Sequence, residues 1–101
     1  MDKLISVEIK ENPKTNKSSH KAIFKKENGR TQTINFGSQG ALTYIDGATK
    51  KVRENYIKRH EVREDWTKPN NAGSLSRWIK WGDSKSINKN ISEFKKKFGL
   101  K

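Results

Sequence analysis

The sequence predicts an α+β fold, a small antiparallel β-sheet (an N-terminal strand plus an Asn-Gly hairpin) followed by about three α-helices. Two observations carry this prediction. Residues 1–36 contain β-prone runs and an Asn-Gly pair, whereas residues 49–99 carry apolar residues at helical spacing. A chain of 101 residues is expected to form a single domain, 1–101, that is mainly β over 1–36 and mainly α over 49–99.

The first predicted strand covers residues 4–10. Ile5, Val7 and Ile9 recur there at a period of two, which places them on one face of a strand. A polar stretch without large apolar residues follows over residues 11–19 and is predicted to be a loop.

The next two β-prone runs, residues 20–26 and 31–36, flank Asn28-Gly29. An Asn-Gly pair between such runs predicts a hairpin with a two-residue type I′ turn, because both central residues of that turn need positive φ. This turn fixes the register of the two strands. It pairs Ile23 with Ile34 and Phe24 with Thr33.

The first helix is predicted to begin after Thr49, whose side chain can cap it, and to run from Lys50 to about His60 or Val62. Its apolar seam is narrow and is surrounded by basic residues. The sequence therefore predicts a helix that buries one thin stripe and leaves the rest of its surface charged.

Two further helices are predicted. Ser74 can cap a short helix over residues 75–81, which Gly82 would end. Ser86 can cap the last helix, which Gly99 would end. The last helix carries one apolar stripe at helical spacing, formed by Ile87, Ile91, Phe94 and Phe98.

The charge of the chain is its strongest functional signal. Twenty-three Lys and Arg residues face eleven Asp and Glu residues, which gives a net charge of +12. That excess exceeds the net charge of about 2–8 that keeps a small domain soluble, so it predicts a polyanionic partner, above all nucleic acid. The absence of cysteine excludes disulfides and thiolate metal sites. No apolar run is long enough for a signal peptide or a membrane-spanning helix.

The sequence predicts no enzyme, no cofactor and no metal site. The two histidines, His20 and His60, have no second ligand at metal-binding spacing. One alternative stays open, since His60 is followed by Glu61, Glu64 and Asp65, a set that could hold a divalent cation in a nuclease. Charged side chains in such a run are more often simply solvated.

Basic residues repeat at helical spacing on successive predicted helices, where they could converge on one polyanion. Arg offers a bidentate fork to phosphate, and Lys a point charge. Eight positions are predicted to bind nucleic acid. They are Arg53, Lys58, Arg59, Arg63, Arg77, Lys80, Lys89 and Lys96.

Three tryptophans, Trp66, Trp78 and Trp81, lie among these basic residues. Exposed aromatic rings beside cations could stack on single-stranded bases. The spacing of Trp78 on its helix favours a place in the core instead, and the same interpretation is preferred for the other two.

Short segments over residues 20–100 share one pattern, and the more specific are Tyr56-Ile57-Lys58-Arg59-His60 and Ala72-Gly73-Ser74-Leu75-Ser76-Arg77. The others are Phe36-Gly37-Ser38-Gln39-Gly40, Tyr44, Arg53, Trp66, Trp78, Trp81 and the run from Asn90 to Gly99. In this pattern the chain resembles a small basic domain of nucleocytoplasmic large DNA viruses, carried by chlorella viruses and mimivirus relatives. The resemblance implies a viral setting and a compact domain, and no particular reaction.

The chain departs from that viral pattern at three positions. Thr43, Gly47 and Thr49 stand where the pattern has an Asp before the tyrosine and a His and an Asp after it. Because the His and an acid of the pattern are missing here, a metal or acid–base site is less favoured in this chain. Five residues of the pattern remain, namely Tyr44, Arg59, His60, Arg77 and Trp78. They could form a packed polar cluster that stabilises the fold, or a binding site. A role in the fold is favoured for Tyr44 and His60, and a role in binding for Arg59 and Arg77.

The expected function is binding of nucleic acid, and of DNA in particular, without sequence specificity and through charge neutralisation. The expected location is the virion, or the host cytoplasm or nucleus in a viral factory. The alternative is a minor structural or capsid-associated protein that binds acidic protein surfaces, with viral capsid or core proteins as its partners.

Overall fold

The computed structural model describes residues 3–101 and confirms the α+β fold. Three antiparallel strands form one sheet in the order β1-β2-β3. Strand β1 is Leu4–Glu11, β2 is His20–Lys26 and β3 is Thr31–Phe36. A 3₁₀ turn, Tyr44–Asp46, leads to helices α1 (Lys50–Glu61), α2 (Ala72–Leu75) and α3 (Ile87–Phe98), and α2 continues into a π-helical segment, Ser76–Lys80.

The main core lies between one face of the sheet and the helices that follow α1. From the sheet it takes Val7, Ala22, Phe24 and Phe36, and from the helical part Leu75, Ile79, Phe94 and Leu100. The predicted α3 stripe is confirmed, since Phe94 is buried and Ile87, Ile91 and Phe98 pack against this core. A second, smaller cluster joins Tyr44 and Ala48 to Tyr56 and Trp81.

The predicted hairpin register is wrong by one residue. Ile23 lies opposite Thr33, and Phe24 lies opposite Gln32. A slip of one residue turns every side chain of a strand to the other face of the sheet. The observed register directs Ile34 to the core, where it packs beside the buried strand residues.

The register differs because the turn holds three residues rather than two. The amide of Gly29 donates to the carbonyl of Lys26 at 2.9 Å, and the amide of Lys26 donates to the carbonyl of Arg30 at 2.8 Å. Gly29 has a φ of +88°, while no non-glycine residue in the described range 3–101 has positive φ. Asn28 therefore does not adopt the type I′ conformation, and the loop is a turn closed by a glycine bulge.

Strand β1 departs from the predicted alternation at its start. The pairing with β2 shifts between Leu4 and Ser6, which is a β-bulge. As a result Leu4, rather than Ile5, joins Val7 and Ile9 at the core. The outer edge of β1 is paired as well, because the amide of Lys101 donates to the carbonyl of Ile5 at 3.0 Å.

Two of the three predicted helix caps are confirmed. Thr49 Oγ1 accepts from the amide of Val52 at 3.3 Å, and Ser86 Oγ accepts from the amide of Lys89 at 3.3 Å. Gly99 ends α3 in the left-handed conformation, with a φ of +64°. These signals are local in the sequence, which is why they could be predicted without tertiary information.

The predicted cap of the second helix is wrong. The helix begins three residues early, because Asn71 Oδ1 accepts from the amide of Ser74 at 2.8 Å. Ser74 is buried instead, and its hydroxyl donates to the carbonyl of Asp65 at 3.0 Å. Gly82 follows the π-helical segment and is tightly packed, since an added Cβ there would overlap the backbone carbonyl oxygen of Trp78.

None of the helices within residues 3–101 has the length and apolarity needed to cross a membrane.

Candidate functional site

A polar cleft of about 710 Å³ lies between the C-terminal half of α1, the start of α2 and the loop after β3. The segments that carry the viral pattern meet there. Tyr56, Arg59 and His60 line it from α1, and Ala72, Gly73 and Ser76 line it from the α2 region. Gly37 and Ser38 border it from the loop, and Lys80 and Trp81 from the π-helical segment and its end.

A stack of three aromatic rings forms one wall of this cleft. The ring centroids of His60 and Tyr56 are 4.3 Å apart, and those of Tyr56 and Trp81 are 4.4 Å apart with 8° between the planes. Burial is the main reason that the pKa of Tyr56 rises to about 12, so its phenol is neutral at physiological pH. The stack joins α1 to the end of the π-helical segment.

Glu64 is held by residues of the cleft wall. Its carboxylate contacts His60 Nδ1 and accepts a hydrogen bond from Trp66 Nε1 at 3.1 Å. Gly73 packs so closely that an added Cβ would overlap the Glu64 carboxylate. This close approach explains why the second position of the Ala-Gly-x-Leu-Ser-Arg segment is a glycine.

The predicted alternative of a metal-dependent nuclease gains no metal-binding set from the geometry. Within residues 3–101, no three His, Asp or Glu side chains come together so that they could hold a metal ion. The Glu64 carboxylate already contacts His60 and Trp66, and the Asp65 carboxylate accepts a hydrogen bond from the amide of Thr67 at 2.9 Å.

Tyr44 lies in the second core cluster. Arg53 and Lys85 each place a cationic group over its ring, at 5.4 Å and 5.2 Å from the centroid. The 3₁₀ turn that carries it is closed by Thr43, whose hydroxyl donates to Asp46 Oδ2 at 2.6 Å. Tyr44 thus has packing partners on several elements, as the fold interpretation of this residue expects.

Arg53 and Arg77 turn inward, onto the carbonyl groups at the end of the π-helical segment. Arg53 Nε donates to the carbonyls of Trp81 at 3.1 Å and Gly82 at 3.0 Å, and its guanidinium pairs with Asp83 at 2.7 Å. Arg77 Nη1 donates to the same carbonyl of Trp81 at 3.1 Å. Cations are favourable there because the carbonyl end of a helix carries partial negative charge.

Arg77 also lies against two tryptophan rings. Its guanidinium carbon is 4.3 Å from the ring centroid of Trp78 and 5.3 Å from that of Trp66. The ammonium of Lys97 lies 4.2 Å from the Trp78 centroid, and Trp78 itself packs against the main core. Burial, and then the charge of Arg53, lower the pKa of Arg77.

Lys80 is the most enclosed of the eight predicted residues, with 3% of its surface exposed. Its Nζ donates to Ser19 Oγ at 3.0 Å and lies 3.5 Å from His20 Nδ1. Ser19 Oγ and His20 Nδ1 are in turn 2.8 Å apart. The three side chains form a buried polar cluster, called here the Lys80 cluster.

The remaining five predicted residues, Lys58, Arg59, Arg63, Lys89 and Lys96, are exposed. The first three lie near the C-terminal end of α1, and none of them forms an ion pair with another described residue. Lys89 and Lys96 border adjoining clefts on one side of α3 that share Asp83 and Glu93. Acidic residues therefore lie beside the cations in both places, since exposed Glu61 and Asp65 also adjoin the three cations at the end of α1.

Acidification is expected to destabilise the fold through His20. Burial, and then the charge of Lys80, lower the pKa of this ring from its ordinary value of 6.5. The unfolded chain takes up a proton near pH 6.5 that the folded ring resists, so the free energy of unfolding should fall as the pH drops below 6.5. Urea unfolding between about pH 7.5 and pH 5 measures this loss, which should be smaller in His20→Phe; an identical pH profile would contradict it.

The Lys80 cluster was not predicted from the sequence. Ser19 and His20 are neighbours in the chain, but Lys80 lies 61 residues beyond Ser19. Gly37, with a φ of +76°, lies against Ser19 and Lys80 and brings the loop after β3 over the cluster. The glycine itself is the one feature of the sequence that could have pointed to this close approach. An added Cβ at Gly37 would overlap Ser19 Oγ.

Comparison with known proteins gives two matches. Residues 7–60, just over half of the chain, match the protein family described as "Family of unknown function (DUF5754)". The chain is also similar to a protein of Acanthamoeba polyphaga mimivirus named "Uncharacterized protein L851", with 38% identity over 69 residues. That alignment covers 60% of this chain and 67% of the mimivirus protein. No solved structure matches.

Proposed function

We propose that this chain, which belongs to the family of unknown function DUF5754, binds nucleic acid without sequence specificity and through charge neutralisation. DNA is the proposed ligand, in a nucleocytoplasmic large DNA virus. The mimivirus relative supports the viral setting. The proposed place of action is the virion or the viral factory of the infected cell.

One observation carries the proposal, namely that few of the positive side chains form ion pairs with carboxylates of the described residues. All 23 Lys and Arg residues lie in the described range 3–101, and two of them, Lys10 and Arg53, form ion pairs with carboxylates there. A fold that needed these cations for its own stability would pair them. Unpaired cations at the surface instead attract phosphate and release its condensed counterions when they bind.

The exposed end of α1 is the proposed contact surface. Lys58, Arg59 and Arg63 reach solvent there, and Arg59 also borders the cleft described above. Phosphate contacts alone are proposed for these cations. Such contacts fix position and affinity but carry no sequence information.

The test is a comparison of two labelled duplexes of about 30 base pairs with the same base composition and scrambled sequence. Fluorescence anisotropy at low salt should give dissociation constants that agree within about twofold, because phosphates are the same in both. A preference above about tenfold would contradict binding without specificity. Absence of binding to both duplexes would overturn the proposed function.

A second candidate is a minor capsid-associated protein that binds acidic protein surfaces. Exposed apolar residues favour it, since Val62 is 79% exposed, Leu42 is 62% exposed and Val52 is 44% exposed. Protein interfaces commonly bury apolar groups inside a polar rim. Polyglutamate in the same assay separates the candidates, because this one expects tight polyglutamate binding and none to the duplexes.

A further inference from the structure

Lys80 is a buried cation that has no carboxylate partner among the described residues. Only 3% of its surface is exposed, and within residues 3–101 no Asp or Glu oxygen lies within 4.0 Å of its Nζ. Lysine is almost never fully buried unless it is paired, because removing its charge from water is costly. The fold therefore holds the Lys80 ammonium without a direct ion pair among the described residues.

The partners that Lys80 does have are neutral. An ammonium carries three donors, and here one hydrogen bond goes to Ser19 Oγ at 3.0 Å while His20 Nδ1 lies at 3.5 Å. Burial is the main cause that lowers the pKa of both Lys80 and His20, while the charges of Asp46 and Glu11 act in the opposite direction without a direct ion pair. Lys80 Nζ therefore keeps donor capacity for a further hydrogen bond, and it brings a positive charge to the Lys80 cluster.

The cleft of about 710 Å³ is lined by Gly37, which packs against the end of the Lys80 side chain, so an anion bound there lies near this charge. Lys80 lines it together with Arg59, and hydroxyl and amide groups of Ser76, Asn35 and Asn71 add polar atoms. Its two carboxylates, Glu64 and Asp65, accept hydrogen bonds from their own neighbours. A smaller cleft of about 390 Å³ is also lined by Lys80, together with Ser19 and His20, but it contains Glu11 and Asp46 and therefore suits an anion less well.

We propose that the larger cleft binds a phosphate monoester, with the phosphate drawn to the Lys80 side and Arg59 contributing from the cleft wall. Cleft volume supports an organic phosphate over a bare ion, since about 300–1,000 Å³ is typical of small-molecule sites. Tyr56 and Trp81 also line the cleft, and because their ring faces are stacked on each other they offer the organic part an apolar edge rather than an open face. A free nucleotide and the phosphorylated end of a nucleic-acid strand share this chemistry.

Calorimetric titration of the full chain with thymidine 5′-monophosphate at constant ionic strength tests the site. Saturable binding is expected, at least tenfold weaker with thymidine, which lacks the phosphate. Lys80→Met should weaken nucleotide binding at least tenfold, whereas Lys89→Met, which removes the same charge from an exposed position, should change it less than twofold. Equal binding by the wild type and Lys80→Met, or no binding by the wild type, would overturn the proposal.

Lys80→Met is expected to fold, because methionine matches the buried stem of lysine and removes an unpaired charge. Circular dichroism checks the fold. If the variant does not fold, Arg59→Ala takes its place as the test, since Arg59 is exposed on α1. Arg59→Ala should weaken nucleotide binding at least threefold relative to Lys89→Met, and equal affinities would overturn the proposal.

The source of the phosphate is decided by single strands with and without a 5′-phosphate. Tighter binding of the phosphorylated strand, lost in Lys80→Met, identifies a strand end as a ligand. Equal binding of the two strands, with Lys80-dependent binding of the nucleotide, identifies a free phosphate monoester. Internal duplex binding does not depend on Lys80, so Lys80→Met should bind the scrambled duplexes as the wild type does, which separates this proposal from the proposed function.

Discussion

Replacing Lys58, Arg59 and Arg63 together by alanine is expected to weaken duplex binding by about 100-fold at about 0.1 M salt. Each neutralised phosphate contributes about 0.9 to the slope of log K against log salt, so the slope should become shallower by as much as about 2.7. All three side chains are exposed and free of ion pairs with described residues. The fold should therefore survive, and anisotropy titrations at several salt concentrations measure both quantities.

The matched control removes three exposed lysines from loops, Lys14, Lys17 and Lys68. Its net charge equals that of the α1 variant, so any effect of net charge alone appears equally in both. The account expects the loop variant to bind at least tenfold more tightly than the α1 variant. Equal affinities would mean that binding follows total charge and that the end of α1 is not the contact surface.

Asn90→Ala is expected to lower the free energy of unfolding by about 3 kcal/mol, which is a large part of the stability of a small domain. Asn90 is 2% exposed. Its side-chain amide donates to the carbonyls of Ile79 at 2.9 Å and Ser84 at 2.7 Å, and its Oδ1 accepts from the amide of Ser84 at 3.0 Å. Alanine would leave these buried backbone groups without partners, at about 1–3 kcal/mol each.

Asn88→Ala is the matched control for Asn90→Ala, because it makes the same chemical change at an exposed position of α3. It should alter the free energy of unfolding by less than about 0.5 kcal/mol. Urea unfolding followed by circular dichroism measures both variants. Similar losses in the two would show that the Asn90 bonds do not hold the π-helical segment to α3.

Local signals predicted the helices better than the hairpin. Thr49, Ser86 and Gly99 act within a few residues of themselves, so their roles could be predicted from the sequence alone. Asn71 and Ser74 can both cap a helix, and the choice depends on the Asp65 carbonyl that takes the Ser74 hydroxyl. That carbonyl is a tertiary partner, which no local rule supplies.

The register of the hairpin also depends on tertiary packing that the local sequence does not determine. Asn28-Gly29 correctly predicted a turn, but the pair is compatible with loops of two or three residues. The burial of Ile34 and Phe36 on the face shared with Phe24 selects the three-residue loop. Only the packing of the whole sheet against the helices contains that information.

For the candidate site, the sequence identified basic residues but could not separate exposed from internal ones. Arg53 and Arg77 lie on predicted helices, as Lys58 and Arg59 do, yet their guanidinium groups meet carbonyls at the end of the π-helical segment. In the case of Arg53 those carbonyls lie 28 and 29 residues away. Long-range partners of this kind depend on how the helices cross, which composition and spacing do not determine.

The central claim is that uncompensated surface charge binds nucleic acid, and the salt dependence of duplex binding tests it most directly. The measurement is anisotropy of one labelled random duplex of about 30 base pairs, titrated from about 50 mM to about 200 mM salt. The account predicts tight binding at low salt and a linear fall of log K against log salt, with a slope of about −3 or steeper. No binding at the lowest salt, or an affinity that does not change with salt, would contradict it.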